Sequence, residues 1–488
     1  MKILIDKQIK EADRITIKNE PIASIDLMER ASHVIAKWFE NNIATEKNLF
    51  FFIGKGNNGG DGLAVARLLS EKGYRCSLGL VAEQSEMTEE CKINFERLPK
   101  EISVYQGNEI SVPEDAVIID AILGTGFRGS LDERIAAVVE KINSLSNTVI
   151  SIDLPSGMKT EFGNLDQKIV KADITLTLQF PKLAMLLSIA GECCGKIEVL
   201  PIGLDSDFLQ QAETKLHYIC KDDIKSIKKS RNKFTYKSNF GHALLICGSE
   251  TMAGAALLAT KAALRSGCGL VTLHLPERDR MAAQVACPSA ILSLDPSSHY
   301  SIPPTDLSKY SVIGVGCGMG QGTQTEKAFK QLMEMVKQPM VLDADALNIL
   351  AKSRELQLYI PAYSILTPHI GELRRLLGSW KSEQEKLKLT KALAARLRSV
   401  IVVKGAHSMV CMPDGRLYFN STGNSGMAKA GSGDVLTGLL TGLMARGYNS
   451  EEAALLGVYY HGLAGDKATE TFGTESMNSQ DMIDFIKL

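Results

Sequence analysis

At 488 residues the chain exceeds what one ordinary core supports, and at roughly 150 residues per domain two large α/β domains are the expectation. Its 55 Lys+Arg against 56 Asp+Glu give a formal charge of −1, so no global field draws it to nucleic acid or to an anionic membrane. The ten cysteines include no CxxC, and the adjacent Cys193 and Cys194 suit neither tetrahedral zinc nor an ordinary disulfide, which reads as reduced, buried thiols in a cytosolic protein.

The chain opens on "MKILIDKQIKEADRITIKNE", charged every few residues and without a signal-peptide core, and nowhere do 18 uncharged apolar residues run together. A cytoplasmic protein is therefore expected. Residues 25–40 space apolar side chains as one helix face does. From "NLFFFI" the pattern alternates: a helix from Leu63, then "RCSLGLV", "AVIIDAI", a helix over 133–144, "TVISIDL" and "ADITLTL". Such alternation predicts βαβ units and a parallel sheet covered on both faces. The pattern loosens after Leu204, and the charge-dense "KDDIKSIKKSRNKFTYKSN" reads as a linker, placing a boundary near 222 and domains over 1–221 and 222–488. A second series follows: "HALLICGS", a helix over 253–266, "LVTLHL", "YSVIGVG", "PMVLDADA", "YSILTPH", "SVIVVKG" and a final helix from Val435. No fixed period indicates a solenoid.

In the first half, "GKGNNGGDG" joins a strand to a helix and spaces Gly54, Gly56 and Gly59 as G-x-G-x-x-G, the setting in which backbone N–H groups face an anion at a helix N-terminus. A cofactor-type reading would take Glu83, at the end of the next strand, as ribose partner. The extra polar groups Asn57, Asn58 and Asp61 exceed what close backbone approach alone requires. "AVIIDAILGTGFRGS" puts Asp120 at a strand's carboxyl end before a second Gly-rich loop, and "VISIDLPSG" does the same with Asp153, Ser156 and Gly157. Either aspartate alone reads equally well as a turn cap; three polar loops at three strand ends read together as a pocket. Asn58, Asp120 and Ser156 offer oxygen ligands only, suited to a hard cation, and Asp153 remains for proton transfer.

In the second half, "GNSGMAKAGSGDVLTGLLTGLMARG" leads Gly431, Ser432 and Gly433 into a helix whose N-terminus suits an oxyanion or phosphate, with Asp434 as a base or a helix cap. Asp343, Asp345 and Asn348 of "VLDADALN", His369 and Glu372 of "LTPHIGE", and "VVKGAHS" stand at other strand ends. An anion hole, an acidic cation-holding pair and a base are what phosphoryl transfer requires, and no Walker loop is present. His369 is read as a substrate contact, His242 and His461 as structural.

These residues carry a family resemblance. Through "LMERA", "GNNGGDG", "DAILGTGFRG" and "DLPSG" the first half resembles NAD(P)H-hydrate epimerase domains. Through "GSETMAGAA", "GCGMG", "DADALN", "TPHIGE", "KGAHS" and "KAGSGDVLTG" the second resembles ADP-dependent NAD(P)H-hydrate dehydratases. The resemblance implies a Rossmann-like three-layer domain followed by a ribokinase-like α/β domain. It implies dinucleotide contacts from Asn57, Asn58, Gly59, Gly60, Asp61, Gly124, Thr125, Gly126, Phe127, Arg128, Gly129, Ser130 and Asp153, with Asp153 also catalytic, and potassium at Asn58, Asp120 and Ser156. In the second domain it implies substrate contacts from Ala255, Gly318, His369 and Asp434, the last as catalytic base. Lys404, Gly405, Ala406, His407, Ser408 and Gly433 would hold the adenine nucleotide, with ADP as co-substrate alongside Mg2+. The expected partners are small molecules, without nucleic acid or membrane, and the expected assembly is a homo-oligomer. Ala430 stands where many members have glycine, and Cys317 where proline is usual. A ribokinase-like small-molecule kinase fused to a nucleotide-binding domain, and a nucleotide-sensing first half, are the rival readings.

Overall fold

In "NLFFFI" every residue after Asn48 is buried, and alternate side chains enter different cores: Leu49, Phe51 and Ile53 join one cluster, Phe50 and Phe52 another. A strand apolar on both faces must be covered on both, and it is. The helices Ser24–Asn42 and Asn57–Glu71 supply the first cluster, and the helix Glu133–Ser144 supplies Val139 and Ile142 to the second.

In the computed structural model, which describes residues 1–107, 110–162 and 168–488, the chain divides into two units, Lys2–Leu216 and His217–Leu488 with Met1. Residue 222 lies within the short helix Lys221–Ile227 of the latter unit. The first unit's strands are β1 (Asn48–Ile53), β2 (Arg75–Leu80), β3 (Ser103–Gln106), β4 (Val117–Ala121), β5 (Val149–Ile152), β6 (Ile174–Leu178) and β7 (Lys196–Leu200). They pair in parallel in the order β3-β2-β1-β4-β5-β6-β7. The order reverses between β1 and β4, where an open α/β sheet leaves a crevice at its carboxyl edge.

The second sheet contains β8 (Leu216–Tyr218), β9 (His242–Ile246), β10 (Leu270–Pro276), β11 (Ile291–Asp295), β12 (Val312–Val315), β13 (Met340–Leu342), β14 (Ile365–Leu366), β15 (Val400–Val403), β16 (Met409–Cys411) and β17 (Leu417–Phe419). Its order is β11-β10-β9-β12-β13-β14-β15-β16-β17-β8, parallel through β15 and antiparallel at β15–β16 and β16–β17. Here the reversal falls between β9 and β12.

The helix Ser432–Ala445 packs on the helix Ala253–Arg265 through small residues. A Cβ on Gly438 would stand 1.9 Å from the Ala259 carbonyl oxygen, and one on Gly442 2.0 Å from Ser266 Oγ. Only glycine permits that approach, which fixes where the N-terminus of Ser432–Ala445 points. Two elements depart from expectation. The helix expected from Leu63 begins at Asn57, and the chain does not end on the helix begun near Val435, because Gly447, at φ +99°, turns it into a longer helix, Ser450–Phe472. No described helix is long and apolar enough to cross a membrane.

Candidate active sites

At the β1/β4 reversal lies a cavity of about 780 Å3. Asn57, Asn58, Asp61, Gly124, Thr125, Gly126, Phe127, Arg128 and Asp153 all line it, so the loops after β1, β4 and β5 converge as the sequence implied. Gly59 and Gly60 are buried behind the loop, and Gly129 and Ser130 are exposed beside it. Asp120 and Ser156 are wholly buried under its floor.

Leu123 organises that floor. Asn58 Nδ2 donates to its carbonyl at 3.0 Å, and its own N–H donates to Ser156 Oγ at 2.8 Å. The Ser156 hydroxyl donates to Asp120 at 2.5 Å, and Asp120 also accepts from Ser156 N–H and the Ser151 hydroxyl, both at 2.8 Å. Burial pushes the Asp120 carboxyl above the usual range, against the pull of those donors. Asn58 Oδ1 is buried with no hydrogen-bond partner, and an unpaired buried oxygen demands an electropositive neighbour. Together with the oxygen-only donor set, this orphan fits a hard cation.

Asp153 sits at φ +65°, a conformation that a non-glycine residue adopts at a cost. One of its carboxylate oxygens is ion-paired with Lys182, and the other accepts from Thr125 N–H at 3.2 Å. Lys182, only 2% exposed, also donates to Thr177 Oγ1 at 2.8 Å and to the Leu178 carbonyl at 3.2 Å. Sequence reasoning missed Lys182; a lone lysine inside the apolar "LQFPKLAMLL" was the available signal, since a buried ammonium needs a partner. Asp61 belongs to the same group: burial first, then the charges of Asp153 and Asp13, pushes its carboxyl well above the ordinary range.

In the second unit the carboxyl ends of β13 and β15 meet the N-terminus of Ser432–Ala445. Asp343 accepts from Lys404 Nζ at 2.7 Å and from Thr437 Oγ1 at 2.7 Å, and its side chain also accepts from Ala344 N–H. Gly433 is close by: a Cβ there would stand 3.4 Å from Lys404 Nζ. Burial, opposed by Cys317 and reinforced by the charge of Asp343, pushes the Asp434 carboxyl up to about 6. Lys404, which burial alone would depress, is raised by Asp343 and Glu372. Asp345 turns away, accepting from Gly320 N–H at 2.9 Å and Gln321 Nε2 at 2.7 Å.

At the β9/β12 reversal Gly318 packs on Ala255, where an added Cβ would stand 3.1 Å from the Ala255 Cβ. His369 caps the helix Ile370–Leu377, its Nδ1 accepting from Gly371 and Glu372 N–H, and its half-exposed ring places Nε2 3.4 Å from Glu372 Oε1. In the loop after β15, Gly405 and Ala406 are exposed, Ser408 bonds back to Gly405, and His407 Nδ1 pairs with the Asn420 carbonyl at 3.0 Å. Thr437 was not singled out in the sequence, where it reads as one more residue of an apolar helix. His461 Nε2 donates to the Ser432 carbonyl at 2.9 Å, and its pKa is pushed down to about 4 by burial, which keeps the ring neutral and the Gly-rich turn anchored.

Two sites at strand carboxyl ends, one a cavity of carboxylates around a buried lysine and the other a buried carboxylate paired with a lysine at a helix N-terminus, mark a two-domain α/β enzyme. Residues 243–488 match the family model for NAD(P)H-hydrate dehydratase, and residues 24–184 that for the YjeF-related protein N-terminus. The bifunctional NAD(P)H-hydrate repair enzyme of Moorella thermoacetica is 33% identical over 100% of this chain and 96% of its own, and that of Thermofilum pendens 33% identical over 100% and 95%. A ribokinase-like superfamily protein from Enterococcus faecalis superposes with a TM-score of 0.51 at 27% identity, over 56% of this chain and 95% of its own. The chain belongs to the bifunctional NAD(P)H-hydrate repair enzymes, with a Rossmann-like N-terminal domain and a ribokinase-like C-terminal domain.

Proposed function

We propose that residues 1–221 interconvert the R and S forms of hydrated NADH and NADPH at C6 of the nicotinamide ring, and that residues 222–488 dehydrate the S form. The observation that carries this reading is the coexistence of two different sites in one chain: Asp153 ion-paired to buried Lys182 in a dinucleotide-sized cavity, and Asp434 beside Lys404 at a helix N-terminus.

Hydroxide leaves poorly, so the second site must improve the leaving group. Asp434 takes the proton of the C6 hydroxyl, whose oxygen attacks the β-phosphorus of ADP and displaces AMP. Phosphate then departs with the C6–O electron pair, C5 loses a proton to solvent, and NAD(P)H is restored. Lys404 and the N–H groups around Gly433 stabilise phosphate charge, and His369, Gly318 and Ala255 border the dinucleotide. Lys404, Gly405, Ala406, His407 and Ser408 face the adenine nucleotide. Asp343 is engaged by Lys404 and Thr437, so Mg2+ would come bound to the phosphates of ADP and supply charge neutralisation there.

In the first site Asn57, Asn58, Asp61 and the loop from Gly124 to Arg128 grip the dinucleotide, with Gly129 and Ser130 at its rim. Potassium, held by Asn58, Asp120 and Ser156, would supply a fixed positive charge under the loop; the orphaned Asn58 oxygen supports it. Ten free thiols are in keeping with a cytoplasmic protein. Exposed Met281, Val285 and Ile291 near edge strand β11 are in keeping with a homo-oligomer.

The test mixes both epimers of hydrated NADH with the protein, ADP and Mg2+, and follows the absorbance of the reduced ring. Complete recovery is expected. Recovery that stops once the S form is consumed removes the epimerase, no recovery removes the repair reading, and a stable phosphorylated product without recovery selects the small-molecule kinase.

A further inference from the structure

The N-terminal helix Asp6–Asn19 lies ahead of the segment matched by the YjeF-related model, yet it forms one wall of the first cavity. Ile9, Asp13 and Ile17, four residues apart and therefore on one face, all line it. The helix is fastened over the site at its start, where Asp6 pairs with Arg128 of the Gly-rich loop and accepts from the Thr160 hydroxyl. An acid flanked by two isoleucines on a cavity-facing stripe is not placed for solubility; a polar residue there would ordinarily face water.

We propose that Asp13 is a catalytic residue of the first site, passing a proton to and from the C6 hydroxyl of the hydrated dinucleotide in the cavity it shares with Asp153 and Lys182; this assignment rests on the epimerase reading above. C6 bears both the hydroxyl and the ring nitrogen, so inversion requires the C6–O bond to break and re-form on the opposite face. The Asp13 carboxyl gives its proton to the hydroxyl oxygen, which leaves as water with the C6–O electron pair while the nitrogen lone pair closes C6=N1. A water then adds to the other face of C6 and gives its proton to the Asp153 carboxylate. That proton returns to Asp13 through solvent, and the reverse inversion runs the same steps backwards.

The surroundings suit the task. The charged groups about Asp13 are Lys10 on its own helix, Asp153 and Lys182 beyond the strand ends, Asp61 on the helix Asn57–Glu71, and Arg128, which Asp6 holds. Lys55 and Glu86, also on the cavity wall, pair with each other at 3.4 Å. Burial, reinforced by the charge of Asp153 and opposed by Lys182, pushes the Asp13 carboxyl up to about 6, close to the working pH, where a general acid is most effective. Asp153 is already engaged by Lys182 and Thr125, which leaves the free acid to the N-terminal helix.

The experiment uses the full chain and separates the epimers of hydrated NADH chromatographically, with dehydration of the S form by the other unit as control. For Asp13→Asn, the kcat of exchange should fall about 100-fold or more, with KM shifted by less than about threefold and S-form dehydration unchanged. Asp13→Glu should recover at least about tenfold over Asp13→Asn, because it restores the proton. Exchange by Asp13→Asn within about threefold of the unmodified protein overturns the proposal. So does an equal loss in both variants accompanied by a raised KM, which would make Asp13 a shaping residue only. If the unmodified protein itself exchanges no epimers, the epimerase reading fails and the assignment of Asp13 falls with it.

Discussion

Asp434, partly buried, and Asp120, wholly buried, are both carboxylates raised by desolvation, yet they are suited to different work. Asp120 accepts from the Ser151 hydroxyl, from Ser156 twice and from Ile122 N–H, so its carboxylate is fixed in one orientation and suited to holding a charge in place rather than to moving a proton. Asp434 lies among Cys317, Asp343, Lys404 and Asp345 and is raised to about 6, with burial as the largest cause. A base works only when deprotonated. As pH falls through that value the carboxylate takes up a proton, so the kcat of dehydration should be level above about pH 7 and fall about tenfold per unit below pH 6. Asp434→Asn should lose about 10² to 10⁴ in kcat and show no such limb. Initial rates with the S form and saturating ADP between about pH 5 and 8 check this, and a profile that stays level to pH 5 would assign the proton to another group.

At the level of elements, the strand-to-helix joint after β1 depends on two close backbone approaches. A Cβ on Gly54 would stand 1.9 Å from the Ile122 carbonyl oxygen, and one on Gly59 2.0 Å from that of Gly54, so the loop is seated on itself and on the chain after β4. Gly59→Ala must push the start of the helix Asn57–Glu71 away, carrying Asn58 and Asp61 with it. The expected cost is about 1–3 kcal/mol in the first unit, with epimer exchange reduced and S-form dehydration retained. Urea unfolding followed through the first unit, alongside both activities, measures it; an unchanged midpoint with unchanged exchange would mean that the joint has slack. The same joint shows what was legible in the sequence. Loops, strand ends and their aspartates are local patterns and were readable. The helix start was not, because Gly59, Gly60 and Gly62 each disfavour helix by about 1 kcal/mol and only packing on Met28 and Ala121 overrides them. Lys182 and Thr437 were hidden for another reason. Their partners lie 29 and 94 positions away, at Asp153 and Asp343, and no local period encodes such a pairing. Asp13 sat unnoticed in a charge-rich stretch where any single acid reads as solvated.

For the whole molecule, the chemistry links the two units more tightly than their separate cores require. The first unit's product is the second unit's substrate, yet each set of site residues lies within its own unit. With a formal charge of −1 the chain has no overall field to retain an anionic dinucleotide, so capture rests on local groups and diffusion of the released epimer is the expectation. Two variants separate these steps. Asp434→Asn should exchange epimers without restoring absorbance, and Asp153→Asn should dehydrate the S form while leaving the R form to its uncatalysed exchange. Mixed, they should restore NADH from the pure R form at a rate set by the concentration of each intact site, as diffusible intermediates require. Stopped assays starting from R-hydrated NADH with ADP and Mg2+ give the comparison. A mixture no faster than Asp153→Asn alone would show that the S form does not leave the chain that makes it, and the two sites would then have to be treated as one catalytic unit.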